Sequence, residues 1–213
     1  MRIRRMLRLL GENALDPLIK AARRLSLYCA WAGGIIFFAA ALLISFEVII
    51  RKAFSMSTEG ADELTGYGFA IAMTFAFGYA LLERAHIRVD TGYLHLPPLW
   101  RAIFDLAASV LLLIFFALVL RYGWQVVADT WRLNAHSATP LHLPLIYPQF
   151  AWWLGLCLTV IVAVLLLLRA AIHILLGELE ASRMLIGSRG MEEEIADELA
   201  ILDERKIEEK SLR

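Results

Sequence analysis

The chain has 213 residues, 60% of them apolar and 20% charged, with a formal net charge of zero. A soluble domain is rarely so apolar. The charge is also unevenly placed. Residues 1–24 carry seven basic and two acidic groups, and residues 178–213 carry six basic and eleven acidic groups. Nothing in that pattern supports a nucleic-acid partner.

Runs free of Lys, Arg, Asp and Glu cover 25–46, 64–82, 106–120 and 133–168. A bilayer core of roughly 30 Å takes about 20 helical residues. The first two runs fit it. The third must borrow residues from the Asp105 side, and the fourth is long enough for a loop and then a helix. Barrel strands would alternate in polarity, and these runs do not. The reading is an all-α integral membrane protein with four transmembrane helices, near 25–50, 62–83, 99–124 and 149–173. A basic N-terminal segment (1–24) and an acidic C-terminal tail (177–213) flank a transmembrane domain (25–176).

With both ends on the cytoplasmic side, 13 Lys and Arg lie near cytoplasmic helix ends. The opposite side has four: Arg51, Lys52, Arg121 and Arg132. The positive-inside rule therefore favours N-in, C-in. The first 24 residues lack the short apolar core of a signal peptide.

In chain order, "DPLIKAARRL" opens the first helix, with Asp16 as candidate N-cap and Pro17 in the first turn. Leu7, Leu10, Ala14, Leu18, Ala21 and Leu25 share one stripe at helical spacing. An interfacial amphipathic helix, a cytoplasmic extension of the first helix and an ordinary basic flank all fit this pattern. "STEGADEL" opens the second helix. Ser57 and Thr58 are candidate caps there, and Glu59, Asp62 and Glu63 suit the positive end of the helix dipole. Within that helix Gly68, Ala72, Ala76 and Ala80 form a small-residue groove beside a ridge of Phe69, Met73 and Phe77. Membrane helices associate at such grooves by close backbone approach.

"HLPPLW" starts the third helix, with Pro97 and Pro98 ending the loop. "TPLHLPLIYPQFAWW" leads into the fourth. The whole stretch 121–147 is expected to lie along the membrane surface or on a partner. Tyr147, Trp152 and Trp153 belong to an aromatic belt. In the tail, Met191, Ile195, Leu199 and Leu202 align on one side of a short amphipathic helix, the alternative being a disordered acidic tail.

No GxSxG, HExxH, CxxC or P-loop pattern occurs. Cys29 and Cys157 lie in apolar runs, which indicates packing rather than a disulfide or a metal site. His86 and His173 near the same ends of helices 2 and 4 leave an alternative open: a four-helix b-type cytochrome, or a quinone-site membrane anchor of an oxidoreductase. Snorkelling, solvated histidines are the commoner explanation. No internal repeat and no mid-membrane charge marks a carrier. The composition points to a scaffold, without catalytic residues, substrate site, metal or cofactor.

The run "FEVIIRKAF…STEGADELTGYGFAIAMTFAFGYALLERAHIRVD", with the later "SATPLHLP", resembles the small membrane subunit of tripartite ATP-independent periplasmic (TRAP) transporters, the DctQ-type small permease. The matching elements are Glu47 and Arg51, Glu63-Leu64, Tyr67, Gly78, and then Arg84, His86, Ile87, Val89 and Asp90. The resemblance implies a scaffold subunit in the bacterial inner membrane. Its partners would be a large DctM-type elevator subunit carrying substrate and sodium sites, and a periplasmic binding protein that delivers an organic acid. Candidate interface residues are Glu47, Arg51, Glu63, Tyr67, Gly68, Ala72, Ala76, Gly78, Arg84, His86 and Asp90.

Glu47 and Arg51 stand at i and i+4, in the favourable order for an ion pair. A lone carboxylate at the membrane boundary would tend to protonate, so a partner is expected. Joined by lipid phosphate or by Glu59, Asp62 and Glu63, the pair would fix helix 1 against helix 2. An ordinary interfacial ion pair is the simpler possibility.

Overall fold

The computed structural model describes residues 6–9, 11–57, 59–85 and 97–187, together with 199 and 202. Among them are a π-helical turn, Gly11–Leu15, and five α-helices: α1 (Asp16–Phe54), α2 (Ala61–Leu82), α3 (Pro98–Leu133), α4 (Ile146–Leu176) and α5 (Leu179–Ile186). Four of the helices are long and apolar enough to cross a membrane, as expected. The tail helix expected over 191–202 lies outside the described residues, apart from Leu199 and Leu202.

Three helices run beyond the expected limits. α1 has 39 residues, so it is about 58 Å long, well over the apolar thickness of a bilayer. The basic flank is thus an extension of α1, led in by the π-helical turn. Its apolar stripe is not the inward face: Leu18 and Leu25 are more than half exposed, whereas Leu15, Ala22, Ser26 and Gly33 are buried. Lipid solvates leucine as well as protein does, so the packed face is the one with small side chains. α3 has 36 residues and absorbs the first half of the stretch expected to lie on the membrane surface. Only residues 134–145 remain as a connection, which folds back toward the start of α2.

The helices form an open layer rather than a closed ring. α1 packs along α2, α2 along α4, and α4 along α3, with a lesser contact between α1 and α4. α4 is the hub, and Leu158, Val162, Ala163 and Leu166 on it cluster with Ala22 and Leu81 in the buried core. Most of α1 and α3 faces outward, with Trp31, Phe38, Leu111 and Phe115 exposed, as lipid-facing helices require.

Two glycines let neighbouring helix backbones come close to α2. A Cβ on Gly33 of α1 would lie 2.8 Å from the Ala72 carbonyl oxygen. One on Gly155 of α4 would lie 2.6 Å from Thr74 Oγ1. α2 is therefore held between two backbones that no larger residue could bring so near.

Candidate functional site

One end of the layer carries a polar clasp. Glu47 lies about two turns before the end of α1 and is 1% exposed. Arg51 donates to its Oε1 through Nη2 at 2.8 Å and Nε at 3.3 Å. The Ser57 hydroxyl donates to the same oxygen at 2.7 Å. α1 stops at Ser55, which takes a left-handed φ of 52°, and the reversal brings Ser57 back over Glu47. Arg51 also approaches Asp62 Oδ2 at 3.9 Å and so spans from α1 to α2.

The cap expected from Ser57 is absent. The α2 N-cap is Gly60, without a side-chain hydrogen bond, and Thr58 lies outside the described residues. Ser57 satisfies the buried carboxylate instead, where an unmade hydrogen bond would be more costly than at an open helix end. Its oxygen also accepts from the Glu59 amide at 3.2 Å.

Glu63 forms the second half of the clasp. Tyr67, one turn on, donates to Glu63 Oε1 at 2.7 Å. Thr139, from the 134–145 connection, donates to Oε2. Thr139 also pairs with Ser137 at 3.1 Å. The connection braces itself: Ser137 N donates to Leu143 O at 2.9 Å, Leu143 N to Ser137 Oγ at 3.1 Å, and Leu145 N to Ala135 O at 3.1 Å. Leu141 packs directly on Gly60 and leaves no space there for a side chain. The turn before α2 and the turn before α4 thus meet over Gly60 and Glu63.

The small-residue positions of α2 meet this chain's own helices. Gly68 faces Ile36 and Ala40 of α1, and Gly78 faces Ser26 of α1 and Leu158 of α4. Ala72 is buried, whereas Ala76 and Ala80 are half-buried.

Ion pairs close the opposite end. Arg23 reaches Glu83 at 3.1 Å, joining α1 to the end of α2. Arg169 of α4 reaches Asp16 at 2.9 Å and packs on Gly11. Asp16 was expected to cap α1, but no side-chain cap forms, because its carboxylate is turned to Arg169. Glu178 bridges Arg8 and His173, each at 2.8 Å. The hydrogen bond shared with His173, and then the one from Arg8, hold the Glu178 carboxyl below the usual carboxylate range. Arg84 follows α2 with a φ of 54° and is engaged by neighbours. His86 and Asp90 lie outside the described residues.

Among the described residues no group of three or more His, Cys, Asp or Glu could hold a metal ion. The carboxylates of the clasp each bind side chains of this chain, and their arrangement joins helix ends. Sequence reading missed Ser57 as the partner of Glu47, Thr139 as that of Glu63, and Gly33 and Gly155 as contact points. The adjacent pair Gly33-Gly34 in an apolar run was the one available signal.

Four long apolar helices, with polar pairs at both ends of the layer, define a multi-pass helical membrane component. Residues 40–173, well over half of the chain and including both Glu47 and Glu63, match the tripartite ATP-independent periplasmic transporters, DctQ component. The chain belongs to this family and is the small membrane subunit of a TRAP transporter. It is a transporter component, not an enzyme. Searches of curated proteins and of solved structures returned no match. The cytochrome alternative gains no support: His173 is engaged with Glu178.

Proposed function

We propose that this chain is the fixed scaffold of a sodium-coupled TRAP transporter in the bacterial inner membrane. It pairs with the large DctM-type subunit, which moves the substrate, and a periplasmic binding protein delivers an organic acid to the pair. Membership of the DctQ family supports the tripartite assembly. The observation that carries the scaffold role is the seating of α2 between Gly33 and Gly155, with polar bonds at both ends of the layer. An element that slides during transport would need a smooth, weakly bonded surface. This layer is interlocked instead.

With both termini cytoplasmic, the clasp of Glu47, Arg51, Glu63 and Tyr67 faces the periplasm, where the binding protein docks. Gly68, Ala72, Ala76 and Gly78 maintain the inner contacts of α2. Arg84, His86 and Asp90 mark its cytoplasmic exit.

The test is reconstitution. Vesicles holding the large subunit and this chain, supplied with the loaded binding protein, should take up organic acid down a sodium gradient. Vesicles lacking either membrane subunit should not. Full uptake without this chain, or failure of the two subunits to co-purify, would remove the proposal.

A further inference from the structure

At the clasp end of the layer an open groove of about 590 Å³ lies between α3 and α4. Ala128 and Ala151 line it where small side chains keep it wide, with Val127 and Leu154 along it. Trp124, Trp131, Tyr147 and Phe150 line it as well, and Arg132 stands there in the last turn of α3. Part of this lining is braced from behind. Trp153 donates its indole N–H to Leu120 O at 3.1 Å and packs on Trp124 and Phe150, with ring centroids 5.0 and 6.1 Å away. The lining therefore includes stacked rings held by a side-chain bond, not only free side chains.

Three features identify the occupant. The groove lies between two membrane-spanning helices, so lipid reaches it without a portal. Its lining is aromatic, and Trp131 and Tyr147 are 75% and 73% exposed, as rings at the headgroup level are. Arg132 is exposed and makes no ion pair among the described residues. A flexible acyl chain conforms to a lining of rings, and a phosphodiester matches the guanidinium. We propose that the groove binds a phospholipid, with the phosphate on Arg132 and one acyl chain between α3 and α4.

The inference rests on the membrane-spanning fold and not on the transport role. It can be tested on the full chain in phosphatidylcholine vesicles doped with phosphatidylglycerol that carries a photoactivatable diazirine in one acyl chain. After illumination, labelled peptides should concentrate on residues 124–132 and 146–154, above the equally exposed Trp31 and Phe38 face of α1. Arg132→Gln should lower groove labelling by about three-fold, the scale of a lost surface ion pair, and Arg132→Lys should restore most of it. Ala151→Phe should abolish it, because the ring occupies the path of the chain. Even labelling of α1 and the groove, or no effect of Arg132→Gln in a variant with unchanged melting temperature, would overturn the proposal. So would loss of labelling on adding the large subunit, with cross-links to one of its helices appearing at the groove, since the seat would then be a protein interface.

Discussion

Ser57 donates a 2.7 Å hydrogen bond to Glu47 across the turn that ends α1, onto the same oxygen that accepts from Arg51. The carboxylate is buried and its guanidinium partner is more than half exposed. Removing the partner strands a poorly solvated charge, whereas removing both leaves none. Arg51→Ala should therefore reduce assembly with the large subunit and uptake more than Lys52→Ala does. It should also do so more than the double change Glu47→Gln with Arg51→Gln. Co-purified yield measured over the full cycle checks this. Strictly additive losses would show that the two residues act separately.

The bond from Thr139 to Glu63 helps tie the 134–145 connection to α2. Thr139→Val keeps the shape and removes the donor. The amides of Ser137, Leu143 and Leu145, now held by internal hydrogen bonds, should then exchange with deuterium faster, while those at the centre of α4 stay protected. Unchanged exchange in the connection would mean that Leu141 on Gly60 holds it unaided.

Gly33 and Gly34 are neighbours with opposite surroundings. A Cβ on Gly33 meets the backbone of Ala72, whereas one on Gly34 meets nothing within 4 Å. Gly33→Ala should destabilise the protein by about 1–3 kcal/mol, as overpacking does. Gly34→Ala should be neutral or slightly stabilising, by up to about 1 kcal/mol from helix propensity. Thermal unfolding in detergent separates them, and equal effects would contradict the close approach of α1 and α2.

Glu178 joins Arg8 to His173 at the opposite end, and its pKa is depressed by those hydrogen bonds. A carboxylate with a lowered folded pKa contributes stability that is fully present above its unfolded value. That contribution is lost as pH falls through the folded value. Wild type should therefore exceed Glu178→Gln in melting temperature at neutral pH. The difference should vanish once pH drops well below the ordinary carboxylate value of 4.5. A gap that persists in acid would assign the effect to packing rather than charge.

Much of this architecture was legible in the sequence because lipid imposes a simple rule: a span must be apolar and close its own backbone bonds. That rule located four helices but not their lengths. α1 and α3 run on past their charge-free stretches, since Arg51 and Arg132 are tolerated near the water boundary. The stripe holding Leu18 and Leu25 left three readings open in the sequence, and it proves to be the outer side of a long extension of α1. Glu47 with Arg51 could be found because the pair is local, one turn apart. Ser57 and Thr139 could not, because their partners are fixed by a turn and by a contact 76 residues away.

The scaffold claim is most directly tested by locking α1 to α2. The position of a Cβ on Gly68 lies 3.7 Å from Ala40 Cβ, inside the range of about 3.5–4.5 Å that a disulfide spans. Ala40→Cys with Gly68→Cys, in a background of Cys29→Ala and Cys157→Ala, gives a cross-link that forms on oxidation and opens on reduction. Sodium-driven uptake by the reconstituted complex should be the same, within about two-fold, in the oxidised and reduced states, because a fixed layer loses nothing when it is pinned. Uptake abolished by oxidation and restored by reduction would show that α1 and α2 move against each other during transport, and the chain would not be a static scaffold.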